Sequence, residues 1–334
     1  MFSRVIPVAL AAALPLFASA NTLPELNVYT HPSFAAEWGP GPAVKEAFEA
    51  QCDCMVNYTV LDSGGDILQR LRLEGSSTPA DVVLGLDTAT MATARQTGLL
   101  APHGKALEQL ALPIEWTDST FVPYDWGYFA FVYDTEQLPE PPRSLEALIN
   151  APDDLKIIIQ DPRTSTPGLG LLLWMHSVFG DQAPEQWQKL SNKILATTQS
   201  WSDGYFSLFM NGEAPMILSY STSPAYHMAI DKTDRYQAAR FDEGHYLQVE
   251  VAAMVKTSDN QALASEFLDF MLTPAFQTHI PLKNVMYPAI DLGDELPNVF
   301  DRLIQPASTH YMAPEAVARE RKQLVNEWLD ALID

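Results

Sequence analysis

The run Gln160-Asp-Pro-Arg-Thr-Ser-Thr-Pro-Gly-Leu-Gly-Leu-Leu-Leu173 joins two elements of opposite kind. Ahead of it, the β-branched triplet Ile157-Ile158-Ile159 has the pattern of a buried strand. Behind it, Pro167 suits a first helical turn, and the apolar residues from about Gly168 onward predict a helix. Three hydroxyls, Thr164, Ser165 and Thr166, stand between the two. A helix start carries unpaired N–H groups and a partial positive charge. Hydroxyls beside it complete a cup for an oxyanion such as phosphate. The same residues also serve as ordinary N-caps. A second junction of this kind follows an apolar strand at 216–219 and reads Tyr220-Ser221-Thr222-Ser223-Pro224-Ala225-Tyr226. Two such junctions weaken capping as the whole account, because convergent donors are what a polar ligand requires.

The same rhythm fills the first third of the chain. Segments 26–30, 55–61 and 81–85 read as strands, each followed by a turn and an amphipathic helix. This alternation predicts an α/β fold with a parallel sheet covered by helices. Ligands in such sheets lie beyond the carboxyl ends of the strands, where His31–Ser33, Ser63-Gly64 and Asp87 fall. Segment 122–133 is extended, aromatic and longer than the usual five or six residues of a strand. A strand crossing between two lobes accounts for the excess, and 246–255 reads as a strand returning. Helices are expected at 144–151, 184–193, 261–271 and 274–279, and another from Trp201-Ser202-Asp203-Gly204. A terminal helix at 314–334 would bury Val317, Leu324, Trp328 and Leu332.

Residues 1–20 have the form of a signal peptide: Arg4, an apolar run over 5–17, and Ala18-Ser19-Ala20 ahead of Asn21. The run is too short to span a bilayer comfortably. About 314 residues would remain, enough for two domains or one large one. The full chain holds 20 Lys+Arg against 42 Asp+Glu, net −22, and loss of Arg4 makes the mature charge −23. That field opposes nucleic acid and anionic lipid and attracts cations. Cys52 and Cys54 are the two cysteines. An exported setting permits a local bridge between them, although the loop is tiny. No Gly-x-Ser-x-Gly nucleophile turn, Gly-x-x-x-x-Gly-Lys loop or His-Glu-x-x-His helix occurs. His227 and His245 stand alone and read as surface or core residues. Tyr220 and Tyr226 with nearby carboxylates offer oxygen ligands to a hard ion such as ferric iron.

Five longer stretches carry a resemblance. They are Ser33-Phe-Ala-Ala-Glu-Trp-Gly-Pro-Gly-Pro42, Phe121-Val-Pro-Tyr-Asp-Trp-Gly-Tyr-Phe-Ala-Phe-Val-Tyr-Asp134, Asp161-Pro-Arg-Thr-Ser-Thr-Pro-Gly-Leu-Gly-Leu-Leu-Leu-Trp174, Leu218-Ser-Tyr-Ser-Thr-Ser-Pro-Ala-Tyr226 and Gly244-His-Tyr-Leu-Gln-Val-Glu-Val-Ala252. Each closely resembles the periplasmic thiamine-binding proteins of bacterial thiamine importers. The resemblance implies a two-lobed, type II periplasmic-binding-protein fold of the α/β class. Lobe 1 would comprise 21–124 and 243–293, and lobe 2 would comprise 125–242 and 294–334, with the ligand cleft between them. It implies a periplasmic carrier rather than an enzyme, without a cofactor. Thiamine, its monophosphate and its diphosphate are the implied ligands, and an inner-membrane ABC permease is the partner.

The implied contacts are Ser63 and Gly64, Ser165 and Thr166, Trp201, and Tyr220, Ser221, Thr222 and Ser223. Trp38 and Tyr226 would be aromatic walls, and Asp125 would pair with the aminopyrimidine or serve the hinge. The chain departs from the family at His31, where a Tyr is expected, and at Val285, near where a Trp follows Asn. A ferric-iron or other small-solute carrier is the rival reading. An exported thiamine-degrading enzyme is a third, and it would need a nucleophilic cysteine in the cleft.

Overall fold

The computed structural model describes residues 23–333, so the signal peptide expected at 1–20 and its cleavage ahead of Asn21 lie outside the described residues. The chain begins with β1 (Glu25–Thr30), α1 (Pro32–Ala35), α2 (Gly41–Cys52), β2 (Met55–Val60), α3 (Gly64–Glu74), β3 (Val82–Asp87) and α4 (Met91–Arg95). β1 lies parallel to both β2 and β3, as strands joined by helical crossovers must. Next come β4 (Val122–Asp134), α5 (Leu145–Ile149), β5 (Ile157–Gln160), α6 (Thr166–Phe179), α7 (Ala183–Ser191), β6 (Ile194–Thr198), β7 (Met216–Tyr220), α8 (Ser223–Tyr226), β8 (Tyr236–Ala238) and β9 (His245–Met254). The last elements are α9 (Gln261–Phe270), α10 (Pro274–Gln277), α11 (Ile280–Lys283), β10 (Tyr287–Pro288), β11 (Thr309–His310) and α12 (Pro314–Ile333).

The sheet runs β2-β1-β3-β9-β4-β7-β5-β6. It is mixed rather than parallel throughout, because β9 is antiparallel to both β3 and β4. A strand that returns from far along the chain needs no helical crossover beside its neighbour, so local rhythm does not dictate its direction. The helix expected after Trp201 is instead a wide, π-type turn over Asp203–Phe209, and a second covers His227–Asp231. Such turns are rare and concentrate at functional sites.

Apolar side chains gather in separate cores. Val28, Phe48, Val82, Phe267 and Phe276 belong to one, and Leu148, Ile157, Trp174, Trp187 and Trp328 to another. β4 feeds both: Val122 and Tyr124 enter the first, and Phe129 and Phe131 the second. This is why the strand runs to 13 residues. Each fully buried Phe of these cores contributes about 1.5–3 kcal/mol. α12 buries the expected stripe, with Val317, Leu324 and Trp328 in the second core and Leu332 packed against it. Cys52 and Cys54 form a disulfide at the end of α2 with Cα atoms 5.1 Å apart, and Asp53 between them takes a left-handed φ of 49°.

Candidate ligand-binding cleft

The register of the central strands assembles a feature that no local motif announces. Asp87 on β3 sits opposite Glu250 on β9, and Glu250 sits opposite Asp125 on β4. Residues directly opposite share one face of a sheet, so three carboxylates stand in a single row across three strands. Like charges in such positions destabilise a sheet. The row is therefore an expense that function has to explain.

Its surroundings sort the charges. Tyr124 Oη donates to Glu250 Oε2 at 2.6 Å, and Gln248 Nε2 donates to Glu250 Oε1 at 3.1 Å. His31 Nε2 stands 3.8 Å from Glu250 Oε2. Asn284 Nδ2 donates to Asp125 Oδ2 at 2.5 Å and lies 3.4 Å from Glu250 Oε2. Asp125 Oδ1 is buried with no partner among the described residues. Burial, reinforced by the charge of Glu250, pushes the Asp125 carboxyl well above the usual carboxylate range. Burial opposes the charge on Glu250 too, but His31, Tyr124 and Asn284 together hold it below that range. Within the pair, the surroundings therefore favour the proton on Asp125 and the charge on Glu250. The side chains of His31 and Glu250 remain 12% and 14% exposed, so the charge is accessible to solvent. Burial raises Asp87 as well, against the hydrogen bonds that it receives from Thr90.

Tyr220 adjoins this row. Tyr220 ends β7, packs against members of both cores, and lies 5.2 Å from the Phe129 ring. Trp201 Nε1 donates to Ser219 Oγ at 2.8 Å, and Ser219 Oγ meets Ser223 Oγ at 2.8 Å. The Tyr220 N–H donates to Ser223 Oγ at 3.3 Å, so Trp201 and Tyr220 belong to one bonded unit. Trp201 also stacks on Tyr205 at 4.8 Å, and Tyr205 Oη bonds His227 Nε2 at 2.8 Å. His227 is a satisfied core residue, with Asp231 Oδ2 2.7 Å from its Nδ1. Ser221 and Thr222 turn inward and are fully buried. Ser221 Oγ has no partner among the described residues, and Thr222 Oγ1 faces Met286 Sδ at 3.9 Å.

Ser63 and Ser165, two of the remaining predicted donors, line one narrow cavity together with Thr166, the third, and Asp87. They behave differently. Ser63 Oγ accepts from the Asp66 N–H at 3.2 Å and donates to Asp66 Oδ2 at 2.6 Å, so it is engaged as the cap of α3. Ser165 occupies the N-cap position of α6 with extended backbone, yet its side chain makes no capping bond. Gly65, not Gly64, faces the cavity. A Cβ on Gly64 would lie 2.6 Å from the Gly85 carbonyl oxygen, so that glycine permits close packing. The structure does not bring Ser221–Ser223 to this cavity. Trp38 and Tyr226 stand 57% and 39% exposed, and Tyr226 meets His227 edge-on at 5.8 Å. Val285 holds a φ of 56°, an outlying value for a β-branched residue, directly after Asn284. A larger hollow of about 440 Å³ lies between Trp116 and Tyr311, but Arg95 within it is paired with both Asp118 and Glu315.

Glu250 and Asn284 were not among the residues expected from sequence. The available signal was faint: Gln248 and Glu250 interrupt an otherwise apolar strand.

The profile of the bacterial extracellular solute-binding protein family matches residues 37–278. A thiamine-binding periplasmic protein of Salmonella typhimurium (strain LT2) is 51% identical over 332 residues, covering 99% of each chain. A solved periplasmic thiamin binding protein superposes with a TM-score of 0.89 at 51% identity, over 93% of this chain and 96% of that one. A ferric binding protein from Campylobacter jejuni superposes at 0.76 with 20% identity, over 92% of this chain and 99% of that one, and so shares the fold.

Proposed function

We propose that this chain, which belongs to the bacterial extracellular solute-binding protein family, captures thiamine and its phosphate esters in the periplasm. It passes them to an inner-membrane ABC permease. The observation that carries the reading is the row Asp87–Glu250–Asp125 beside Tyr220. Thiamine carries a permanently charged thiazolium ring. An ionised, partly buried carboxylate that solvent still reaches balances such a charge, and aromatic faces favour it further. Trp201 and Tyr220 supply the aromatic surface, and Ser165 with Thr166 receives the hydroxyethyl arm or its phosphates. The two lobes, 21–124 with 243–293 and 125–242 with 294–334, close over the ligand by bending at β4 and β9.

The protein acts by binding. Both of its cysteines are joined in the Cys52–Cys54 disulfide, which leaves no thiol to act as a nucleophile. The ferric-binding neighbour is similar in fold alone. Calorimetry of the mature protein with thiamine, its monophosphate and its diphosphate tests the proposal, with a ferric titration followed by absorbance alongside. Saturable one-to-one binding of thiamine supports it. Silence toward all three compounds together with a coloured ferric complex would overturn it.

A further inference from the structure

The C-terminal helix brings an unforeseen residue to the cleft. Arg321 lies on α12, and its side chain lines the cavity shared by Ser63, Asp87, Ser165 and Thr166. No hydrogen bond or ion pair to Arg321 is found among the described residues. The other arginine of this cavity is already occupied: Arg163 grips Asp161 through Nε at 2.9 Å and Nη2 at 2.5 Å, and its guanidinium lies over Trp328. Asp87, whose charge attracts Arg321, makes no hydrogen bond or ion pair with it and commits Oδ1 to the Thr90 N–H at 2.9 Å and Thr90 Oγ1 at 2.8 Å.

Two further features converge on the same space. α3 and α6, of 11 and 14 residues, have their N-caps at Ser63 and Ser165, and both residues line the cavity. Ser165 is only 7% exposed, and its hydroxyl is unused in capping. A partly buried guanidinium without a hydrogen-bond partner is costly, and burial pulls the Arg321 pKa down from its ordinary value against the attraction of the Asp87 carboxylate. An anion with several oxygens resolves both deficits. It accepts the planar fork of Arg321 in bidentate fashion and takes the Ser165 hydroxyl and the helix-start N–H groups on its other oxygens.

We infer that Arg321 is the specificity-determining residue for the phosphate esters of thiamine over the free vitamin. This rests on the reading that the cleft takes thiamine. The cavity, about 20 Å³, has room for about one water as its walls stand here, so a phosphate enters only with the walls drawn apart, and it then meets the guanidinium of α12 and the start of α3. Asp87 repels such an anion, and the charge of Arg321 is what offsets it.

The test compares wild type with Arg321→Gln and Arg321→Lys, by calorimetry with thiamine and thiamine monophosphate at fixed salt. The quantity read is the ratio of monophosphate to thiamine affinity. Arg321→Gln should lower that ratio by about tenfold or more, the size of a lost charge-assisted contact. Arg321→Lys should fall between, because it keeps the charge and loses the fork. A ratio unchanged in both variants, with wild type still binding thiamine, overturns the role of Arg321 alone. Wild type that binds neither compound overturns the thiamine reading with it. Circular dichroism checks folding, and if Arg321→Gln does not fold, the Arg321→Lys ratio decides on the same terms.

Discussion

His245 gives the strand crossing a built-in acid sensitivity. It begins β9 and is fully buried. Its Nδ1 lies 2.8 Å from the Phe129 carbonyl oxygen on β4, and its Nε2 accepts the Phe241 N–H at 3.1 Å. Both contacts are met only by the neutral ring protonated on Nδ1. A second proton, on Nε2, would point at the Phe241 N–H. Burial, including a Trp174 ring 5.0 Å away, outweighs the help that the Phe129 carbonyl gives to the cation and lowers the pKa to about 4. An unfolded histidine titrates near 6.5. Between these values the unfolded chain binds the extra proton, so stability rises with pH. The contribution is complete above about 6.5 and is lost as pH falls toward about 4. A gap of this size corresponds to roughly 3 kcal/mol, of which roughly 2–3 kcal/mol disappears between pH 7 and 4.5. Urea unfolding followed by tryptophan fluorescence at a series of pH values measures it, in wild type and in His245→Gln. The variant should start less stable, having lost two contacts, and should show the shallower acid slope. His227 is likewise held neutral by burial but is present in both proteins, so the difference in slope isolates His245. Parallel slopes would refute the reasoning.

Three further outcomes are expected. Trp201→Ala should weaken thiamine by about 1–3 kcal/mol, while Trp201→Phe should recover part of the loss by stacking without the bond to Ser219; calorimetry showing unchanged affinity in Trp201→Ala would remove the indole from the site. Glu250→Gln should cost thiamine affinity by about 1.5–3 kcal/mol, the scale of a contact to a charged group, and a variant that binds as tightly as wild type would show that the carboxylate row does not balance the thiazolium. At position 285, glycine should be more stable than alanine by about 1 kcal/mol, reversing the usual order, because the backbone there is left-handed; urea midpoints favouring alanine would mean the segment carries no strain.

Much of this protein is written locally. The period-two and helical patterns of the first third predicted β1–β3 and their parallel pairing, because side-chain periodicity reports the burial of one face. The excess length of 122–133 announced a strand crossing between lobes, and the Ser165–Pro167 junction marked the start of α6, while only the structure showed that the Ser165 side chain makes no capping bond. Long stretches matching known carriers pointed to the ligand class. What sequence did not reveal is the alignment of elements remote in the chain. Asp87, Asp125 and Glu250 form a row only because β9 slots antiparallel between β3 and β4 in one register. A shift of a single residue would turn each strand's side chains to the other face. Arg321 reaches the cavity only because α12 folds back beside α7 and α6. Periodicity assigns a residue to a face of its own element, whereas the neighbour that face meets is set by the packing of the whole chain.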